Sequence, residues 1–165
     1  MKDIICRPFS TLRGTLHLCA GEDALLRLTF PGEQLPDGAE EGESTLLEEG
    51  AAWLERYFAG KDPGEPPPCA PVGSLYRSRV WELLREIPYG ERVSYTELAE
   101  RYERLYGRHT SPRAVGGAVG KNPLPIFLPC HRVLGADGSL TGYAGGLEWK
   151  AWLLELEQGG KTKIM

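Results

Sequence analysis

The sequence predicts an α/β protein of two lobes. The small N-terminal lobe has an antiparallel sheet and a helix. The C-terminal lobe is mainly helical, with a winged-helix-like helix-turn-helix. Three observations predict this. Residues 10–30 alternate apolar and polar, as in Leu16-His17-Leu18 and Leu26-Arg27-Leu28-Thr29-Phe30, which is the two-residue period of a strand. Apolar residues elsewhere recur at helical spacing, in segments bracketed by capping signals. Between the two patterns lies Asp62-Pro63-Gly64-Glu65-Pro66-Pro67-Pro68, which is too rich in proline for regular structure. The expected division is residues 1–61, a Pro-rich linker at 62–73, and a second lobe at 74–165.

Taken in order, residues 10–30 suggest two strands joined at Gly21-Glu22-Asp23. Residues 32–43 are acidic and Gly-rich and read as a loop. Thr45 and Glu48 suit a capping box opening a helix through Leu46, Leu47, Leu54, Tyr57 and Phe58, with Gly60 to end it. In the second lobe, Tyr76, Val80, Leu83, Leu84 and Ile87 mark a helix closed by Pro88. Ser94-Tyr95-Thr96-Glu97 is a capping box ahead of Leu98, Ala99 and Tyr102. Ser111-Pro112 is an N-cap followed by proline at the first helical position, opening a helix to about Gly120. A last helix runs from Leu147 to about Glu157. The two short helices at 95–105 and 112–120 suggest a helix-turn-helix.

Composition bounds the function. No apolar run is long enough to span a membrane, and the N-terminus lacks the hydrophobic region of a signal peptide. The chain therefore reads as intracellular, cytoplasmic or nuclear in a eukaryote, with its cysteines mostly reduced. Cys6, Cys19, Cys69 and Cys130 form no C-x-x-C pair and exclude no particular disulfide. Cys6 and Cys19 read as buried small hydrophobes. Net charge is −4, but residues 1–71 carry −7 and residues 72–165 carry +3. Between Arg101 and Arg132, the basic residues Arg101, Arg104, Arg108, Arg113, Lys121 and Arg132 face one acid, Glu103. Such a cluster suits a phosphate backbone, and equally a solvated charged face.

Chemistry concentrates in Pro129-Cys130-His131-Arg132-Val133. The thiolate is the reactive form of cysteine, and positive charge beside it lowers its pKa, so Cys130 reads as a nucleophile. The helix at 112–120 carries Ala114, Gly116, Gly117, Ala118 and Gly120. Each glycine costs about 1 kcal/mol against alanine in a helix. Close backbone approach is the usual compensation, either to a neighbouring helix or to DNA. Flanking Arg113, Lys121 and Asn122 favour DNA.

Arg113-Ala114-Val115-Gly116-Gly117-Ala118, Asn122-Pro123-Leu124-Pro125-Ile126, Pro129-Cys130-His131-Arg132-Val133 and Gly142-Tyr143-Ala144-Gly145-Gly146-Leu147 occur in this order. Across about residues 74–157 the chain resembles the O6-alkylguanine-DNA alkyltransferase family. The resemblance implies that a damaged guanine is flipped out of duplex DNA and its alkyl group moved irreversibly to Cys130, once per molecule and without a cofactor. It implies that His131 and Glu157 deprotonate the thiol through a water and that Asn122 braces the turn. Tyr95 would crowd the target's phosphate and donate a proton to the leaving guanine. Arg113 would fill the gap in the duplex. Ala114, Gly116, Gly117, Ala118 and Lys121 would meet DNA through the minor groove, and Val133, Tyr143, Ala144 and Gly145 would line the guanine pocket. The implied partner is double-stranded DNA bound by a monomer, with no membrane.

The chain departs from the pattern in places. The Tyr95–Arg113 interval is a few residues longer than in animal members, through Tyr102–His109. Ala144 replaces a serine found in some members. Cys6, Cys19 and Cys69 fall near positions that bind zinc in some members, but matching histidines are not evident, and no metal is expected. Three rivals differ in outcome. A non-transferring alkylated-base binder would not need Cys130, and a transcription regulator would not need the Pro-Cys-His-Arg motif. A Cys-His hydrolase would need direct contact between neighbouring side chains, which generally diverge.

Overall fold

The computed structural model describes residues 3–140, 143 and 145–159. The chain divides into two compact units. One comprises residues up to 72 together with 123–125, and the other comprises 73–122 and 126 onward.

In the first unit, β1 (Ile4–Thr11), β2 (Gly14–Ala20), β3 (Leu25–Thr29) and β4 (Ala39–Glu41) form a sheet of order β3-β2-β1-β4. The β2–β3 hairpin is the expected one. Two strands are additional: β1 pairs antiparallel with β2, and β4 pairs parallel with β1 inside the stretch expected to be loop. Helix α1 (Thr45–Phe58) packs on the sheet through Leu47, Gly50, Ala51, Trp53, Leu54 and Tyr57. A Cβ on Gly50 would lie 2.6 Å from the Leu18 side chain, so close approach to the sheet fixes glycine there. The N-cap is Ser44, whose hydroxyl accepts from the Leu47 amide, in place of the expected Thr45–Glu48 box.

Cys6 and Cys19 form a disulfide, which overturns the expectation of reduced thiols for this pair. The two are direct cross-strand partners in the β1–β2 register. Without β1 in view, their sequence separation could not show that. Two of the three thiols near the family's zinc positions are thereby occupied. The Pro-rich stretch is fastened to its own unit: Trp53 Nε1 donates to Gly64 O at 2.9 Å, and Cys69 bridges Leu25 in parallel.

The second unit contains α2 (Leu75–Leu84), β5 (Val93–Ser94), α3 (Tyr95–Tyr106), α4 (Pro112–Val119), a 3-10 turn (Cys130–Arg132), β6 (Val133–Leu134) and α5 (Leu147–Glu157). Helix α2 stops at Leu84, and three i→i+3 hydrogen bonds tighten the chain to Ile87 before Pro88. The Ser94–Glu97 capping box is fully formed. The long interval after Tyr95 is helix up to Tyr106, ended by Gly107 in the left-handed conformation (φ 65°). Ser111 caps α4, whose first position is Pro112. Strands β5 and β6 pair in parallel, Val93 with Val133 and Ser94 with Leu134. That pairing sets the cysteine-bearing turn beside the start of α3.

Candidate active site

The turn that presents Cys130 is organised around one carbonyl. Leu128 O accepts from the Cys130 amide at 2.7 Å and from Asn122 Nδ2 at 2.8 Å. Asn122 is buried, so its amide staples the two ends of the loop together. Ile126 lies inside that loop with φ at 74°. A β-branched residue in the left-handed region costs about 1–3 kcal/mol and persists only where the surroundings impose it.

The neighbours of Cys130 do not act as adjacency suggested. His131 and Arg132 both turn to Glu157 at the end of α5. His131 Nε2 lies 2.5 Å from Glu157 Oε2. Arg132 donates from Nε to Oε1 at 2.9 Å and from Nη2 to Oε2 at 3.1 Å. Gly90 N adds a bond to Oε1 at 3.0 Å, and Arg132 Nη1 donates to Ile87 O at 2.6 Å. All three side chains are buried. Burial alone would raise the Glu157 carboxyl, but its hydrogen bonds and the charge around it outweigh that and bring it down to about 2. Burial pushes His131 down despite Glu157 beside it, so the imidazole is neutral near pH 7.

Burial also pushes the Cys130 thiol up, against the expected lowering. Hydrogen bonds from Asn122 and Tyr143 oppose this, as does the positive charge of Lys150. Lys150 was not singled out from the sequence. Its side chain is fully buried in α5, 5.8 Å from the Tyr95 ring centroid, and burial lowers it to about 8 while the Cys130 charge pulls the other way. A signal for it exists. Lys150, Leu153 and Glu157 share one helical face by i, i+3, i+7 spacing.

Tyr95, half-buried at the start of α3, packs against Gly116, where a Cβ would sit 3.6 Å from the ring. Tyr95, Thr96, Pro112, Arg113, Gly116, Gly120 and Ala136 line an open groove of about 530 Å³. Ala114, Gly117 and Lys121 are exposed nearby in sequence. A Cβ on Gly117 would meet nothing within 4 Å, so packing within the chain does not explain that glycine. Ala118 departs from the expected DNA-facing set. Its side chain is buried, and its carbonyl accepts from Trp81 Nε1 at 2.9 Å.

The basic cluster is not one patch. Arg132 is consumed by Glu157, while Arg101 and Arg104 line a separate groove with Leu83, Glu86 and Leu105. Val133 is fully buried in β6, and Tyr143 and Gly145 are half-buried. Ala144 and Gly142 lie outside the described residues.

Residues 75–159 match the family model described as 6-O-methylguanine DNA methyltransferase, DNA binding domain. A methylated-DNA–protein-cysteine methyltransferase of Methanosarcina acetivorans is 40% identical over 153 residues, covering 90% of this chain and 95% of that protein. The constitutive enzyme of that name in Bacillus subtilis is 39% identical over 152 residues, covering 88% and 90%. Among solved structures, Mycobacterium tuberculosis OGT in complex with DNA superposes with a TM-score of 0.84 at 36% identity, covering 93% of this chain and 92% of that one. A shared family model over half the chain, with full-length relatives of one name, places this chain in the methylated-DNA–protein-cysteine methyltransferase family.

Proposed function

We propose that this protein repairs O6-alkylguanine in duplex DNA by moving the alkyl group to Cys130, irreversibly and once per molecule. One observation carries the reading: a buried cysteine lies next in sequence to a histidine whose ring is fixed by a buried carboxylate, within the segment matched by the family model.

The target guanine leaves the stack, because its O6 substituent is out of reach within the duplex. The thiol proton passes through a water to His131 Nδ1, and the thiolate attacks the alkyl carbon. The S–C bond forms as the C–O6 bond breaks, and the bonding pair stays with the guanine. Tyr95 supplies the proton that the departing base takes up and regains one from solvent. Lys150 stabilises the thiolate by charge, while Asn122 and Tyr143 do so by hydrogen bonds. No cofactor enters, since the acceptor is the protein itself.

Gly116 and Gly117 would let the α4 backbone approach a narrow minor groove. The α3–α4 pair would act as the helix-turn-helix, with Arg113 entering the space of the flipped base and Lys121 on phosphate. Val133, Tyr143, Ala144 and Gly145 would surround the guanine. The protein works as a monomer on chromosomal DNA, hence in the cytoplasm, or the nucleus of a eukaryote. No helix among the described residues is long and apolar enough to cross a membrane.

Intact-protein mass spectrometry after mixing with O6-methylguanine duplex tests this. One methyl group on Cys130 in stoichiometric yield is expected. An unchanged mass with retained DNA binding would overturn transfer, in favour of a binder.

A further inference from the structure

Resting on that reading, we propose that Arg132 is a positioning residue for thiol deprotonation: it holds Glu157 as a carboxylate, and thereby fixes His131 as a neutral base with its proton on Nε2. The geometry supports each step. The Glu157 carboxylate has contacts to four donors: two from Arg132, one from the Gly90 amide and one from His131 Nε2. Backbone N–H and guanidinium groups can only donate. A carboxylate so surrounded is an acceptor throughout, which requires the hydrogen on His131 Nε2. Nδ1 is then the ring's basic nitrogen.

Charge accounting points the same way. The groups facing this buried cluster are Glu157 and Lys150 from α5, and Cys130, His131 and Arg132 from the turn, with the Tyr89 ring 5.7 Å from the guanidinium. Glu157 and Arg132 cancel. A proton on His131 would add an uncompensated buried cation within electrostatic reach of Lys150. Arg132 is also held in place by something other than Glu157, since Nη1 donates to Ile87 O. Its fork is therefore pre-set. Without Arg132, Glu157 would need His131 as its counter-ion, and a protonated imidazole cannot accept the thiol proton.

The test is the pH dependence of Cys130 alkylation by free O6-benzylguanine, which requires no flipping. Arg132→Met is expected to move the acid limb of the rate profile upward by about 1–3 pH units, the size of shift a nearby charge produces. Arg132→Lys should recover part of it. A profile that keeps its limb and only loses amplitude or stability would overturn the proposal. Should Arg132→Met fail to fold, nitrogen chemical shifts of His131 in the wild-type protein decide. A neutral ring protonated on Nε2 at pH 7 is expected, and an imidazolium there would overturn it. The function reading fails separately, if wild-type Cys130 takes no alkyl group from DNA.

Discussion

The N-terminal unit buries apolar side chains and, among its described residues, one polar side chain, Thr29. The C-terminal unit buries Asn122, His131, Arg132, Lys150 and Glu157. Burying charge is expensive, and a buried ion pair seldom stabilises more than a well-packed apolar replacement would. The first unit is thus built as a fold alone: a sheet, a helix seated on it at Gly50, and a cross-strand disulfide. The second accepts the cost of polar and charged groups in its core: His131 and Arg132 close on Glu157, while Asn122 and Lys150 act on Cys130. Buried polar chemistry is thus concentrated in one unit and apolar packing in the other.

The largest effect belongs to the thiol. Cys130→Ser should abolish alkyl transfer while leaving DNA affinity within a few-fold of wild type, because the proposed function gives the new bond to the sulfur and the DNA contacts to α4. Stoichiometric demethylation by this variant, read by loss of O6-methylguanine from a duplex, would remove Cys130 from its role.

Next comes the buried carboxylate. Glu157→Gln leaves the Arg132 charge buried without its partner, and should cost about 3–5 kcal/mol in chemical denaturation. The same group gives the protein a signature in acid. Glu157 is held near 2 in the fold, below its ordinary value. Its contribution to stability is therefore complete above about pH 4.5 and fades as pH falls toward 2, by up to about 3 kcal/mol. A denaturation midpoint that stays flat through that window in wild type would mean the carboxylate is not ion-paired as described.

How much of this division was legible beforehand depends on the range of the signal. Helices announced themselves through local chemistry. Ser94 with Glu97, Ser111 with Pro112, and Pro88 after Ile87 each act within a few residues, and each helix boundary fell close to its signal. Strand β1 was missed because Pro8 and Arg7 interrupt its apolar alternation, and its evidence is the pairing with β2. Strand β4 sits in a run of Gly and Glu that looks like loop. The expectation of an acceptor at Cys130, with parts for His131 and Glu157, came from motif order, and the His131–Glu157 contact is present in the fold. Arg132 and Lys150 were misjudged or overlooked for one reason. A basic residue reads as surface or phosphate contact until its partner is known, and for Arg132 that partner lies 25 residues away.

A third test acts on the other unit. Reducing the Cys6–Cys19 disulfide, or Cys6→Ser with Cys19→Ser, should lower stability by about 2–4 kcal/mol. Because the bridge lies in the unit without Cys130, the rate with free O6-benzylguanine should be unchanged at temperatures where the protein stays folded. Equal losses in stability and in that rate would show that the units do not divide their tasks.

The smallest effect sharpens the map of positive charge within the C-terminal unit. Lys121 is exposed just past Gly120, the C-cap of α4, while Arg104 lines the groove with Leu83, Glu86, Arg101 and Leu105. Each phosphate neutralised adds about 0.9 to the slope of log affinity against log salt. Lys121→Ala should therefore flatten the slope by about one such step. Arg104→Ala should leave it unchanged, since its groove is lined by residues of α2, the turn after it and α3, and by none of α4. Duplex binding measured at several salt concentrations reads both. If Arg104→Ala flattens the slope and Lys121→Ala does not, the DNA path follows the α2–α3 groove, and the exposed glycine face of α4 would need another explanation.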